Sequence, residues 1–350
     1  MIIVTGSTGL IGSATCEYYI NKRINVLGID NDLRRYFFGN EGSNKWKEKK
    51  LKKSKFYKHY SVDIRNKSKI IDIIKKHKKK IIAIIHTAAQ PSHDWAVKEP
   101  FTDFEINANG TLNLLEAFRM YCPSSAFIFT STNKVYGDRP NFLPLEEKKL
   151  RYEIKKNHIY YKKGIDEKMS LDQTTHSIFG ASKTSADLLV QEYGRYFNLK
   201  TVCFRGGCLT GENHSGAQLH GFLSFLIKSI IQKKKYFIFG YKGKQVRDNI
   251  HSYDVVRAFD EFIKKPKTGG CVYNIGGGRL NSCSILEAIN LIEKISNIKS
   301  RYKVLKKNRI GDHLWWITDN SKFIQDYPKW KLKVSLKNSL EHMVNFELKK

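Results

Sequence analysis

The stretch IIVTGSTGLIGS, residues 2–13, decides the fold. Four residues suited to a buried strand run straight into Gly6, Gly9 and Gly12, spaced G-x-x-G-x-x-G, and a helical pattern follows at once. Glycine at these points allows a tight turn and a close approach of backbone to a bound pyrophosphate, which then rests on a helix N-terminus. Thr8, Leu10 and Ile11 lie within the same turn and belong to the same expected dinucleotide site. A glycine triplet alone is weak evidence, but one placed between a first strand and a first helix is not.

The rhythm set there continues. MIIV, INVLGID, IIAIIH, AFIFTST and KTVCFR read as buried strands of a parallel sheet, with helical patterns between them. The expected class is α/β: a Rossmann-type doubly wound parallel sheet with a smaller, interleaved C-terminal substrate-binding lobe. The nucleotide-binding domain is expected at 1–207, with 251–277 returning to it, and the smaller lobe at 208–250 and 278–350. Residues 33–58 and 139–171 break the pattern as long charged insertions, the kind of segment that serves as a lid, a binding loop or surface decoration.

The second strand ends at Asp30, followed by Asn31. An acidic side chain here bonds both ribose hydroxyls and repels a 2′-phosphate, so NAD is expected over NADP. Arg34 and Arg35 are read as the start of the charged insertion. Further along, Asp63 and Ile64 would border the adenine, and the small residues Thr87, Ala88 and Ala89 would let backbone pass the nicotinamide ribose.

Composition narrows the class. The formal net charge of +29 comes mainly from lysine runs such as KWKEKKLKKSK. With no zinc finger, helix-turn-helix or aromatic RNA-binding signature, these read as solvated helix faces, and no nucleic-acid partner is expected. A positive surface would help collect an anionic substrate. No run is long enough for a membrane span, and MIIVTG enters a strand and a turn without a leader pattern, so a cytoplasmic location is expected. The six cysteines form no C-x-x-C pair and the histidines no H-E-x-x-H, so neither disulfides nor a metal is expected.

Taken together, TGSTGLIG, INANGTLNLLEA, STNKVYG, FRGGCLTGENHSGAQLHGFL, GKQVRDNIHSYDVV and YNIGGGRLNSCSILEA resemble the NAD-dependent epimerase/dehydratase family of extended short-chain dehydrogenases over nearly the whole chain. The nearest likeness is to its branch acting at C2 of CDP-linked deoxyhexoses. The resemblance implies transient oxidation of a sugar hydroxyl by NAD, a nucleotide-sugar substrate (a CDP-sugar favoured) and a homodimer. It implies Ser131 or Thr132 as hydrogen-bond partner of the reacting oxygen, and Lys183 as the cation that bonds the nicotinamide ribose. Asn107 joins the cofactor set; Gln90, Asn133 and Phe179 join the substrate set. Arg247 and Arg309 would grip the diphosphate.

One position departs from the family. In THSIFGASK the residue four before Lys183 is Phe179, where the family carries a tyrosine, and a phenyl ring moves no proton. Three readings stay open: His176 takes the proton, Tyr160 or Tyr161 swings in from the insertion, or the redox step is lost. A dehydratase of this family would carry an Asp-Glu pair after the threonine. Here Asn133 and Lys134 stand there, which disfavours dehydration. His214, Ser215, Gln218 and His220, on a polar loop after a strand, are candidates for contacts to sugar hydroxyls or phosphate.

Overall fold

The computed structural model describes residues 1–216, 221–306 and 311–349. Seven strands form one sheet: β1 (Ile2–Thr5), β2 (Val26–Ile29), β3 (Tyr57–Tyr60), β4 (Ala83–His86), β5 (Ala126–Thr132), β6 (Lys200–Gly206) and β7 (Cys271–Ile275). Their order is β7-β6-β5-β4-β1-β2-β3. The pairs β1–β2, β1–β4, β2–β3 and β4–β5 are parallel. The order reverses between β1 and β4, the switch point where doubly wound sheets receive ligands. Strands β1, β2 and β4 are buried along their whole length, which is why their sequences read as unbroken apolar runs. Strand β3 lies at the sheet edge with Lys58 exposed, and its polar sequence hid it inside a segment expected to be poor in strand.

The chain divides into two compact units. The first holds residues 1–135, 178–205 and 255–273 and contains the sheet core, with Ile3, Leu27, Ile84, Phe127, Leu114 and Phe118 among its fully buried side chains.

The second unit holds residues 136–177, 206–254 and 274–350. Its central strand, Val246–His251, pairs antiparallel with Ser282–Ser284 and parallel with Trp315–Trp316 and Cys208–Thr210. Helices Phe222–Ile231, Ile285–Ser296 and Leu336–Leu348 contribute Leu226, Ile230, Ile289 and Leu340 to a separate core. Both Trp315 and Trp316 are fully buried, as core residues rather than stacking platforms.

The division corrects one expected boundary. Residues 136–177, read as an insertion in the nucleotide-binding domain, belong to the second unit. The reason is hydrogen bonding: strand Tyr152–Ile154 closes a hairpin with Leu145–Glu147, and the Tyr152 N–H donates to the Lys244 carbonyl at 2.8 Å. Among the described residues no helix is long and apolar enough to cross a membrane, and all six cysteines are free thiols.

Candidate active site

The glycine turn is shaped by contacts that a side chain would destroy. Gly6 has φ 64°, and a Cβ there would lie 2.7 Å from the Ala88 nitrogen. At Gly12 a Cβ would meet the Gly6 carbonyl oxygen at 2.0 Å. Helix α1 (Leu10–Asn21) starts from Gly9 with no side-chain cap, which leaves its first N–H groups for an anion. Asp30 closes the turn. Its Oδ2 accepts the Thr8 N–H at 2.9 Å and the Thr8 hydroxyl at 2.7 Å.

The rest of the expected cofactor set lies in the same unit. Asn31 donates from Nδ2 to Asp63 at 3.0 Å. Burial opposes ionisation of Asp63, but hydrogen bonds from Arg65 outweigh it and hold the carboxyl below its usual range. Ile64 is buried and fills the space over Gly110. The Thr87 hydroxyl donates to the Thr5 carbonyl at 2.7 Å, which fixes the backbone at Ala88 and Ala89.

At the end of β5 the two hydroxyls separate in role. Ser131 donates to Asp187 Oδ2 at 2.5 Å, and Asp187, fully buried, pairs with Arg205 at 2.7 Å. Thr132 instead accepts the Lys134 N–H at 3.2 Å and is only partly buried. Asn133 is buried beside it. Lys183 donates from Nζ to the Thr130 carbonyl at 3.0 Å, and its ammonium lies 4.0 Å from the Phe129 ring centroid. Burial lowers its pKa to about 8, with Asp187 pulling the other way.

Phe179 and Lys183 share helix α2 (Ser177–Tyr196), and both are buried. A polar network lies beneath them. Asp103 Oδ1 accepts from Gln90 Nε2 at 2.7 Å and Asn107 Nδ2 at 3.1 Å, while Oδ2 accepts the Ser182 hydroxyl at 2.5 Å. Gln90 and Asn107, expected at substrate and cofactor, have their amide groups in this network. Sequence reading missed Asp103 and Asp187, because nothing in the pattern distinguishes a buried carboxylate on a helix from an exposed one. It also missed His93, whose ring centroid lies 4.9 Å from that of Phe179.

The remaining candidates lie in the second unit. His176 donates from Nδ1 to the Thr174 carbonyl at 3.1 Å, and Ser177 beside it has φ 60°. The His214 ring packs against Gly221, where a Cβ would lie 2.4 Å from its Cε1. Ser215 is partly buried on the same loop. Arg247 Nη2 lies 3.3 Å from Asp312 Oδ1, so its ion-pair partner is not the neighbouring Asp248. Tyr161 stacks on the Arg279 guanidinium at 4.8 Å, and Tyr160 opens the short helix Tyr160–Lys163. Gln218, His220 and Arg309 lie outside the described residues.

Among the described residues, one set could hold a metal: Glu212, His251 and His342. The Tyr253 N–H donates to His251 Nδ1 at 3.2 Å, which puts the ring proton on Nε2, facing Glu212 at 3.0 Å. His342 completes the group, its ring centroid 5.9 Å from that of His251.

Comparison with known proteins places this geometry. The model of the NAD dependent epimerase/dehydratase family matches residues 2–276. CDP-paratose 2-epimerase of Salmonella typhi is 32% identical over 350 residues, covering 99% of this chain and 98% of that protein. UDP-glucuronate 4-epimerase of Thermodesulfobacterium geofontis is 28% identical, covering 98% and 95%. Among solved structures, a Tyr→Phe mutant of UDP-glucuronic acid 4-epimerase from Bacillus cereus, in complex with UDP-4-deoxy-4-fluoro-glucuronic acid and NAD, superposes with a TM-score of 0.80 at 25% identity over 99% of both chains.

The chain belongs to the NAD dependent epimerase/dehydratase family. Its cofactor is NAD, and the glycine turn, too tight for a Cβ at Gly6 and Gly12, fits a pyrophosphate on the uncapped end of α1.

Proposed function

We propose that the chain is a nucleotide-sugar epimerase that acts by transient oxidation, its substrate a CDP-linked deoxyhexose inverted at C2. The observation that carries this reading is a set of groups within the first unit: the glycine turn, the partly buried Thr132 at the end of β5, and the desolvated Lys183 on α2. The 32% identity to a CDP-paratose 2-epimerase supports the CDP-sugar. Asn133 and Lys134, in place of an acid pair, favour epimerisation over dehydration.

NAD, when bound, supplies the acceptor and donor of a hydride. The residues do the rest. Gly6, Gly9, Gly12 and Asp30 hold the dinucleotide. Thr132 hydrogen-bonds the reacting sugar oxygen, since the Ser131 proton is committed to Asp187. Lys183 bonds the nicotinamide ribose and adds positive charge where an alkoxide develops. Arg247 and Arg309 stay the residues expected to grip the diphosphate.

Proton NMR of the NAD-loaded protein with CDP-, GDP- and UDP-hexoses in D₂O tests the reading. The expected result is interconversion of a CDP-deoxyhexose at C2 with no deuterium entering the carbon. Turnover of UDP-sugars alone would move the assignment to another base. No turnover with NAD still bound would make the protein a cofactor-binding sensor, the rival reading that Phe179 motivates.

A further inference from the structure

The epimerase reading leaves one proton without a carrier. Phe179 occupies the place of the family's tyrosine, and the residue is buried, 7% exposed. Oxidising a sugar hydroxyl requires a base at the hydroxyl oxygen, and returning the hydride requires the same proton back.

The imidazole of His93 lies against the Phe179 ring, edge to face, with centroids 4.9 Å apart and planes at 64°. His93 is partly buried. Histidine titrates nearest to neutral pH of all the side chains and so serves both directions of the transfer.

Its position is fixed from below. His93 opens the helix His93–Lys98, whose N-cap Ser92 accepts the Trp95 N–H at 3.4 Å. The Ser92 N–H donates to Gln90 Oε1 at 2.6 Å, and the Gln90 N–H donates to Asn107 Oδ1 at 3.0 Å. Asn107 and Asp103 both bond the Ser182 hydroxyl, which lies next to Lys183 and one turn from Phe179 on α2. Gln90, Ser92, Asp103, Asn107 and Ser182 are each at most 1% exposed. A buried polar network with its members satisfied is rigid. It ties the loop that carries His93 to the helix that carries Phe179 and Lys183, all within one unit.

We propose that His93 is the proton-transfer group of this enzyme, doing from beside Phe179 what a tyrosine hydroxyl at that position would do; the proposal rests on the epimerase reading. The hydroxyl O–H bond breaks as its proton passes to an imidazole nitrogen of His93, while the carbon's hydride leaves for the cofactor and the C=O bond forms. Both return, the hydride to the opposite face and the proton from His93 to the oxygen, so no proton or electron is gained overall. His176, on the second unit, is then not the base.

The test compares wild type, His93→Ala, His93→Gln, His176→Ala and the double variant His93→Ala/Phe179→Tyr, all loaded with NAD. Expected is a fall in CDP-deoxyhexose turnover of about 100-fold or more for both His93 variants with NAD affinity kept, little change for His176→Ala, and recovery in the double variant. His93→Gln keeps a polar side chain in case alanine disturbs the helix start. Independent of turnover, the His93 imidazole signals of ¹⁵N-labelled wild type, titrated with and without a CDP-sugar, should shift in pKa when the sugar binds. Turnover within a few-fold of wild type in both His93 variants, or an imidazole blind to the sugar, overturns the assignment alone. A wild type that converts no sugar nucleotide overturns it together with the epimerase reading.

Discussion

Two aspartates, neither with any solvent exposure, are accommodated in opposite ways by the two units. In the first, Asp187 has a cation: Arg205 at 2.7 Å, joined by the Ser131 hydroxyl and the Gln191 amide at 2.6 Å. In the second, the Oδ2 of Asp248 accepts two backbone N–H groups, from Thr318 at 2.9 Å and Gly278 at 3.0 Å, while its Oδ1 has no hydrogen-bond partner. Burial raises the pKa of Asp248 to about 6. A buried charge tolerates dehydration only when paired. The first unit keeps its carboxylate paired, with Lys183 one helical turn away. The second keeps one that neutral pH strains.

The largest effect that would break this comparison is expected at Asp187. Asp187→Asn leaves Arg205 buried without its counter-charge and should cost about 3–5 kcal/mol, read by urea denaturation. It also removes the charge that pulls the Lys183 pKa upward, so the lysine should titrate lower than about 8.

Asp248→Asn should act in the opposite direction. The folded pKa of about 6 exceeds the unfolded value of about 3.9, so between them the folded state binds more protons. Stability therefore falls as pH rises from about 4 to about 6, and the cost of about 3 kcal/mol is fully present above that range. An asparagine oxygen can accept both N–H groups that now converge on Oδ2. The variant should be up to about 3 kcal/mol more stable at pH 7.5, and its melting temperature should lose that pH dependence. A destabilised variant would mean that the ionised Asp248 carboxylate holds the fold together.

The smallest effect concerns helix starts. Helix α1 begins without a side-chain cap, whereas helix Ile285–Ser296 begins with a capping box, Ser284 accepting the Glu287 N–H at 3.1 Å and Glu287 accepting the Ser284 N–H at 2.9 Å. Ser284→Ala should cost about 1 kcal/mol and leave NAD affinity unchanged. A loss of NAD binding would show that Ser284 does more than cap this helix.

Much of the first unit was legible. The strands β1, β2, β4, β5 and β6 formed where apolar runs announced them, and the glycine turn formed where its spacing did. The edge strand β3 was hidden because one side of it meets water. The place of residues 136–177 was hidden because it rests on pairing with Lys244, far along the chain. His93 was passed over although its neighbours Thr87, Ala88, Ala89 and Gln90 were all singled out, since a lone histidine after a strand carries no local signal.

By itself the sequence determined the α/β class and the dinucleotide turn, since strand periodicity and the steric demands of glycine act within a dozen residues. Only the tertiary structure decided which of two adjacent hydroxyls bonds a buried carboxylate, which buried carboxylate has a cation, and which histidine meets the Phe179 ring. Those contacts join segments remote in sequence, and only the packing of helices on the sheet brings them within reach.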